Sequence, residues 1–507
     1  MKIRRRGLRV LAVWLSAAAC QDATIIVGKL KSDPSAAGSG DLGAAPPGSR
    51  QERGAGDSGP IAQAGSTGMP GDSVKAGAGG SADSGVIAGG SGRFAIEPGT
   101  RQQFCEIRGP AVRRMASPEP SCRESITREL FSYGLCACND LQFEGTSFAI
   151  DSFDSREGAY STGQSGVAIG VNRAFLPNAA AHTLRGSLIV AGTEPSTVMN
   201  TSLQIDGDLK TRSALTIAGS MVHVGRDLWI DGDLELSGTS MFDVGRDLNL
   251  TPGHVADPIP IGRVRRTSAF QIDAPCSCDD AGRLDIPAIV AQARMQNDNA
   301  EVQLQPNALR GAFALSLGNV ECGRFWLEGV SIDIGTVLAT VTKRTALFVE
   351  GDFAMNTSTV GVTTESPGEL DIFVTGDLII STATAVFGSE ERPSSLRFYV
   401  NGQTYFSGLG VLAAQLYAPN ARVELGGIAD MYGSIIGKDI HSSGAQRLHY
   451  DRSILETDEC SDPHPSCDDC RQCPEGLACI QGTCNPCTID ADCCAPLSCI
   501  GGTCRLL

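Results

Sequence analysis

Aromatic residues make up only 5% of the 507-residue chain, and basic residues are outnumbered by acidic ones, 41 to 57. One conventional globular core draws more heavily on large aromatic side chains, so a single such core does not account for the chain. The formal charge of -16 gives a surface that repels a phosphate backbone, which excludes nucleic-acid binding as a main function. Long apolar runs are also missing. The stretch from Val10 to Ala19 is about half of the roughly 20 residues that a membrane-crossing helix needs, and no later segment is longer, so no transmembrane helix is expected. What is plentiful is glycine, at 60 residues, and cysteine, at 19, a number suited to an oxidising compartment.

Residues 1–19 have the form of a signal peptide: Lys2, Arg4, Arg5, Arg6 and Arg9, then the short apolar run, then Ala17-Ala18-Ala19. Cys20 follows directly, as in bacterial lipoproteins, where the cysteine is acylated at sulfur and anchors the mature chain in a membrane. Lipidation at Cys20 and a cell-envelope location, at the outer membrane or cell surface, are therefore expected. Ala17 stands where that signal usually has Leu, so cleavage after Ala19 and free secretion is the alternative. Residues 20–100 are dominated by Gly, Ala and Ser and carry too little apolar surface to offset ordering entropy, which predicts a disordered tether.

The middle of the chain repeats itself. Ser220-Met221-Val222-His223-Val224-Gly225-Arg226-Asp227-Leu228 returns as Ser240-Met241-Phe242-Asp243-Val244-Gly245-Arg246-Asp247-Leu248. Ile205-Asp206-Gly207-Asp208-Leu209 matches Ile230-Asp231-Gly232-Asp233-Leu234, and a third series runs through Gly351-Asp352, Gly376-Asp377 and Gly402. Short period-2 apolar stretches cut by Gly-Asp corners at intervals of roughly 20 to 25 residues predict an all-β fold, a right-handed parallel β-helix of three-sided coils over 146–456. At each corner Gly is expected to supply positive φ and Asp to fold its carboxylate onto the local amides. Ile205, Leu209, Val224, Leu228, Ile230, Leu234, Val244 and Leu248 are expected to stack into a narrow aliphatic core. Roughly ten coils at about 4.8 Å each give a rod on the order of 50 Å long.

A helical insertion is predicted at 257–306. Asp285 is placed as N-cap, Pro287 lies in the first turn, and Ile286, Ile289, Val290 and Ala293 share one face. Residues 101–145, with a second helical element at 125–135, read as a cysteine-bearing cap over the open end of the first coil.

Residues 457–507 form a disulfide-rich module with two copies of Cys-Ile-x-Gly-Thr-Cys, at Cys479–Cys484 and Cys499–Cys504. Eleven cysteines in so short a segment leave no room for an apolar core, so bridges must supply its stability. Disulfide cysteines are expected at Cys105, Cys122, Cys136, Cys138, Cys276, Cys278, Cys322, Cys460, Cys467, Cys470, Cys473, Cys479, Cys484, Cys487, Cys493, Cys494, Cys499 and Cys504. Seven precede residue 450 and eleven follow it, both odd numbers. Complete pairing then needs a bridge, such as one from Cys322 or the Cys276/Cys278 pair, that staples the tail to the solenoid. Zinc at Cys467-x-x-Cys470-x-x-Cys473 is the competing use of those thiols.

The segment Leu416-Tyr417-Ala418-Pro419-Asn420-Ala421-Arg422-Val423-Glu424-Leu425, with Met431-Tyr432-Gly433-Ser434-Ile435-Ile436 and Leu448-His449-Tyr450-Asp451, resembles a β-helical domain of bacterial surface proteins, some associated with type IV pilus assembly. Upstream, Asn297-Asp298-Asn299-Ala300 and Glu321-Cys322-Gly323-Arg324-Phe325-Trp326 resemble its longer form in myxobacterial-type predicted lipoproteins, which carry a Gly-rich tether and a Cys-rich tail. The tail is similar to knottin-like and dickkopf-like modules in cysteine pattern. The resemblance implies a β-helical fold and an envelope location, and it brings no catalytic residues.

Parallel β-helices include polysaccharide lyases and hydrolases, whose sites cluster carboxylates on one face. Asp208, Asp227, Asp233, Asp247, Asp352 and Asp377, with Arg226 and Arg246, are the candidates. Each occupies the same place in its repeat, whereas a catalytic residue should break it, so corner chemistry is the expected role. His441 and His449, eight positions apart, are weighed as a metal pair against ordinary structural roles. No catalytic residue, metal or cofactor is expected. The function this predicts is a non-enzymatic, envelope-anchored surface lipoprotein whose rod and disulfide-rich tip bind a protein or glycan. The alternatives are a β-helix carbohydrate-active enzyme and a filament-forming surface protein.

Overall fold

The computed structural model describes residues 94–456 apart from 115–125 and a few shorter breaks, together with four short strands and isolated cysteines beyond 456. The signal peptide, Cys20, the tether up to residue 93, the Cys467-x-x-Cys470 pair and most of the tail lie outside the described residues; the last residues of the expected disordered tether are ordered, Phe94–Ile96 pairing with Val112–Arg114 and Thr100 capping a helix. Among those described, no helix is long and apolar enough to cross a membrane.

The chain builds a parallel β-solenoid of about eleven turns. Each turn places one short strand on each of three faces. On the first face, Ala181–Leu184, Ser202–Ile205 and Met221–Val224 follow one another in parallel register. On the third, Gly186–Val190, Leu209–Thr211 and Leu228–Ile230 do the same. All eight residues expected in the inner stack are buried, Ile205, Val224, Leu228, Ile230 and Leu248 completely. Burial of this kind stabilises each Leu or Ile by roughly 1.5–3 kcal/mol.

The coils are not stacked in chain order. Coils from 135 to 266 form one block and coils from 315 to 451 form a second, and the second block's last strand docks on the first block's first coil. Ile435 pairs with Leu135, Ile440 with Leu141 and His449 with Asp151, all in parallel. The chain therefore enters in the middle of the solenoid, runs to one end, returns along the side through 267–314, and winds back to where it began.

The return segment carries the expected helix, Ile286–Met295. Asp285 Oδ1 accepts from the Ala288 N–H at 3.0 Å, and Ile286, Ile289, Val290 and Ala293 are buried. It packs against the third face of the second block, alongside Arg344–Val349 and Glu369–Val374. Strands there are buried on both sides, as covered parallel sheets are. On their outer side Phe348, Phe373 and Tyr399 stack with centroids 5.0 and 4.5 Å apart. These three buried rings thus lie on the covered outer side of the sheet and not in the inner stack.

The segment expected to cover an open end does something else. The first coil begins at Leu135–Ala137, and its edge is covered by Asp430–Asp451. Residues 94–112, with helix Arg101–Glu106, lie instead on the third face of the second block, held by buried charges. Arg397, fully buried, pairs with Asp371 at 2.6 Å and Glu369 at 2.7 Å. Those carboxylates also accept the Ala111 and Gly109 N–H groups, at 2.8 and 3.1 Å. Arg344 donates to the carbonyls of Phe104 and Gly109 and pairs with Glu97 at 2.8 Å. Burial opposes charge on Glu369, but Arg397, the Gly109 N–H and Arg344 hold its carboxyl below the usual range.

Three disulfides tie the parts together: Cys105–Cys322, Cys136–Cys276 and Cys138–Cys278. This corrects the residues suggested for a staple to the tail, because Cys322, Cys276 and Cys278 are all taken within the described fold. Cys122 lies outside the described residues. In the tail, Ala478–Ile480 pairs antiparallel with Thr483–Asn485, and Leu497–Ile500 with Thr503–Leu506. The duplicated motif is therefore one hairpin made twice, and Cys473, Cys479, Cys493 and Cys494 are disulfide-bonded.

Candidate functional site

The repeated aspartates act at the corners, but across coils and not within them. Asp208 Oδ1 accepts the Asp227 N–H at 3.1 Å, and Asp227 Oδ1 accepts the Asp247 N–H at 3.1 Å. In the second block Asp352 accepts from Asp377 at 2.9 Å and Asp377 from the Gln403 N–H at 2.8 Å. Asp233 accepts the Val255 N–H at 2.9 Å, which with His254 holds its carboxyl below the usual range. Each of these five carboxylates satisfies a corner donor that strand pairing leaves free, while Asp247, at the end of its series, pairs with Arg265 at 3.1 Å. Arg226 lies 3.6 Å from Asp208, and Arg246 repeats its position one coil on, where its N–H donates to the Arg226 carbonyl. The glycines are needed chiefly for close approach. A Cβ on Gly225 or Gly245 would collide with the backbone of the preceding coil, and of the Gly-Asp corners Gly351 has positive φ, at +125°.

His441 and His449 fall on different faces. His441 Nε2 lies 3.1 Å from Glu144 on the second face, and His449 Nδ1 lies 2.7 Å from Asp151 on the first. Their closeness in sequence does not bring them together. Among the described residues, no group of three or more His, Cys, Asp and Glu has a metal-holding arrangement.

His449 belongs to a cluster that breaks the repeat, on the seam where the two blocks meet. Its Nε2 faces Asp430 at 3.6 Å, and Asp430 takes a bidentate pair from Arg447 at 2.6 and 2.9 Å. Tyr160, from the segment after Leu141–Phe153, lays its ring over the imidazole with centroids 3.9 Å apart and donates to Asp151 at 2.5 Å. Burial, then Asp151, pushes the Tyr160 phenol up; burial, then Glu390 and Asp430, pushes Tyr432 up to about 12. Both phenols stay protonated as donors. A general base needs an approach to its free nitrogen, but His449 is covered by Tyr160 and its second nitrogen faces a carboxylate, not a hydroxyl or thiol. The arrangement fastens the seam.

The second face carries another non-repeating set, and this one is open. Strand register aligns Ile379, Tyr405, Glu424, His441 and Gln142 along the solenoid axis. Tyr405 is 41% exposed and is the one aromatic among the exposed large hydrophobic residues described. Glu424 is paired with Arg422 at 2.9 Å, both close to half exposed. Glu144 accepts the Gln142 amide at 2.5 Å, and its other carboxylate oxygen lies 3.1 Å from His441 Nε2, which makes no hydrogen bond. Ser381 and Ser407 form a hydroxyl row beside Ile379 and Tyr405. Sequence reasoning weighed His441 but missed the strip: Ile379, Tyr405, Glu424 and His441 lie on successive coils of the second block at unequal spacings, and the seam adds Gln142 and Glu144.

Residues 276–457, the return segment and second block, match a family model described as a domain of unknown function, DUF7305. No curated protein matches the chain. Among solved structures it is similar to an ice binding protein from an Antarctic Flavobacteriaceae bacterium, at 9% identity over 64% of this chain and 97% of that one, with a TM-score of 0.16. At that score nothing transfers from one chain to the other.

Proposed function

We propose that the protein is a non-enzymatic surface lipoprotein, anchored to the cell envelope through Cys20, whose β-helical rod and disulfide-rich tip bind a protein or glycan. The observation that carries this is how its acidic groups are used. Asp208, Asp227, Asp352 and Asp377 are spent on corner amides, the imidazole–carboxylate cluster at the seam is closed by Tyr160, and the exposed His223–Asp243 pair on the first face is a simple cross-coil contact. A solenoid face free of such closure is a binding surface. The disulfides that join residues 94–112 to the second block and the first coil to the return segment suit an oxidising compartment. The anchor is tested by palmitate labelling in cells: label is expected on the wild type and lost in Cys20→Ser, with the protein released to the medium. Label-free wild-type protein in the medium overturns the anchor.

A further inference from the structure

We propose that the second-face strip from Ile379 to Gln142 binds a neutral polysaccharide laid along the solenoid axis. The inference deepens the reading of the protein as a binding rod and rests on it. A pyranose presents an apolar C–H face and a hydroxyl edge, and the strip offers a partner for each. Tyr405 gives an exposed ring with Ile379 beside it, in a chain whose aromatics are otherwise largely buried. Exposed aromatics of this kind supply contact area at low entropic cost. The next coils give hydrogen-bonding groups already held in place, Glu424 by Arg422 and Glu144 by the Gln142 amide, and the His441 Nε2 left without a partner beside them. Fixed donors and acceptors lose little freedom on binding. Successive coils repeat at about 4.8 Å, so an extended chain along the axis meets one rung after another. Charge selects the class of polymer. Two carboxylates in the strip and a net charge of -16 repel an acidic polysaccharide and leave a neutral one.

The test is affinity electrophoresis of the purified protein through gels containing galactomannan, xylan, mixed-linkage β-glucan or dextran, with alginate as the acidic polymer. At least one neutral polymer is expected to retard the wild type. Tyr405→Ala should weaken that retardation roughly tenfold, Tyr405→Phe should keep it, and Glu424→Gln should reduce it. Leu338→Ser, on the first face, should leave it unchanged. No retardation by any neutral polymer, full retardation of a Tyr405→Ala protein with unchanged thermal unfolding, or stronger retardation by alginate would each overturn the proposal. New reducing ends in the gel polymer would sink the non-catalytic reading, while a retardation that depends on Tyr405 would leave the strip standing.

Discussion

His182 gives the sharpest test of the packed interior. It lies in Ala181–Leu184, turned inward between Phe148 and Leu203 on the adjacent coils and 2% exposed. Its ring centroid is 5.1 Å from that of Phe143, and neither ring nitrogen has a hydrogen-bond partner. Burial alone pushes its pKa from 6.5 down to about 4. The folded protein therefore holds His182 neutral where the unfolded chain would protonate it. Its contribution is complete above pH 6.5 and is lost as pH falls through about 4. At roughly 1.36 kcal/mol per pH unit, that interval amounts to about 3 kcal/mol. His182→Leu removes the titration and keeps the volume close. Urea unfolding midpoints of wild type and variant, measured at steps from pH 7.5 to 3.5, should diverge by up to about 3 kcal/mol in the variant's favour as pH falls. A difference that stays constant to within about 0.5 kcal/mol over that range would refute the reasoning.

Other outcomes follow from named contacts. Arg397→Ala leaves Asp371 and Glu369 buried without their cation and should cost about 3–5 kcal/mol in urea unfolding, whereas Arg422→Ala, at an exposed pair, should cost under about 1 kcal/mol. Replacing Cys138 and Cys278 together by Ser should lower stability by about 2–4 kcal/mol, read as a lower urea midpoint under non-reducing conditions. Gly186→Ala places a Cβ against the Val167 carbonyl of the adjacent coil and should cost about 2 kcal/mol or more, seen as a lower melting temperature. Mass spectrometry of the unreduced, digested protein should recover Cys105–Cys322 and the linked Cys136/Cys138 and Cys276/Cys278 peptides. Tail cysteines bridged to any of these would contradict the fold.

What could be read from the chain was whatever a single coil encodes. The inward residues from Ile205 to Leu248 follow from period-2 alternation, and the helix at Ile286–Met295 from Asp285, Pro287 and the apolar face behind them. The strand Ala181–Leu184 alternates too, which puts His182 inside with Leu184. What could not be read is which coil stacks on which. Parallel coils look alike in sequence, and nothing local to Leu135–Ala137 says that its neighbour is Ile435 and not only Ile169. The seam cluster depends on that choice, and so do the strip's last members, Gln142 and Glu144, whereas Ile379, Tyr405, Glu424 and His441 lie on successive coils of one block. One signal was available and passed over: Cys136-x-Cys138 and Cys276-x-Cys278 share one spacing, which suits pairing side by side. Continuous apolar runs such as Ile372-Phe373-Val374 also marked a strand covered on both sides. The aspartates were placed at the corners correctly, but their partners lie one coil away, where local turn chemistry does not reach.

The central claim is that this solenoid holds a ligand without transforming it. The most direct measurement incubates the purified protein with the neutral polysaccharides named above and follows, in one sample, retention of the protein on the polymer and the number of reducing or unsaturated ends. Retention that depends on Tyr405, with no new chain ends, is the predicted result. New chain ends that accumulate with time and protein concentration would contradict it.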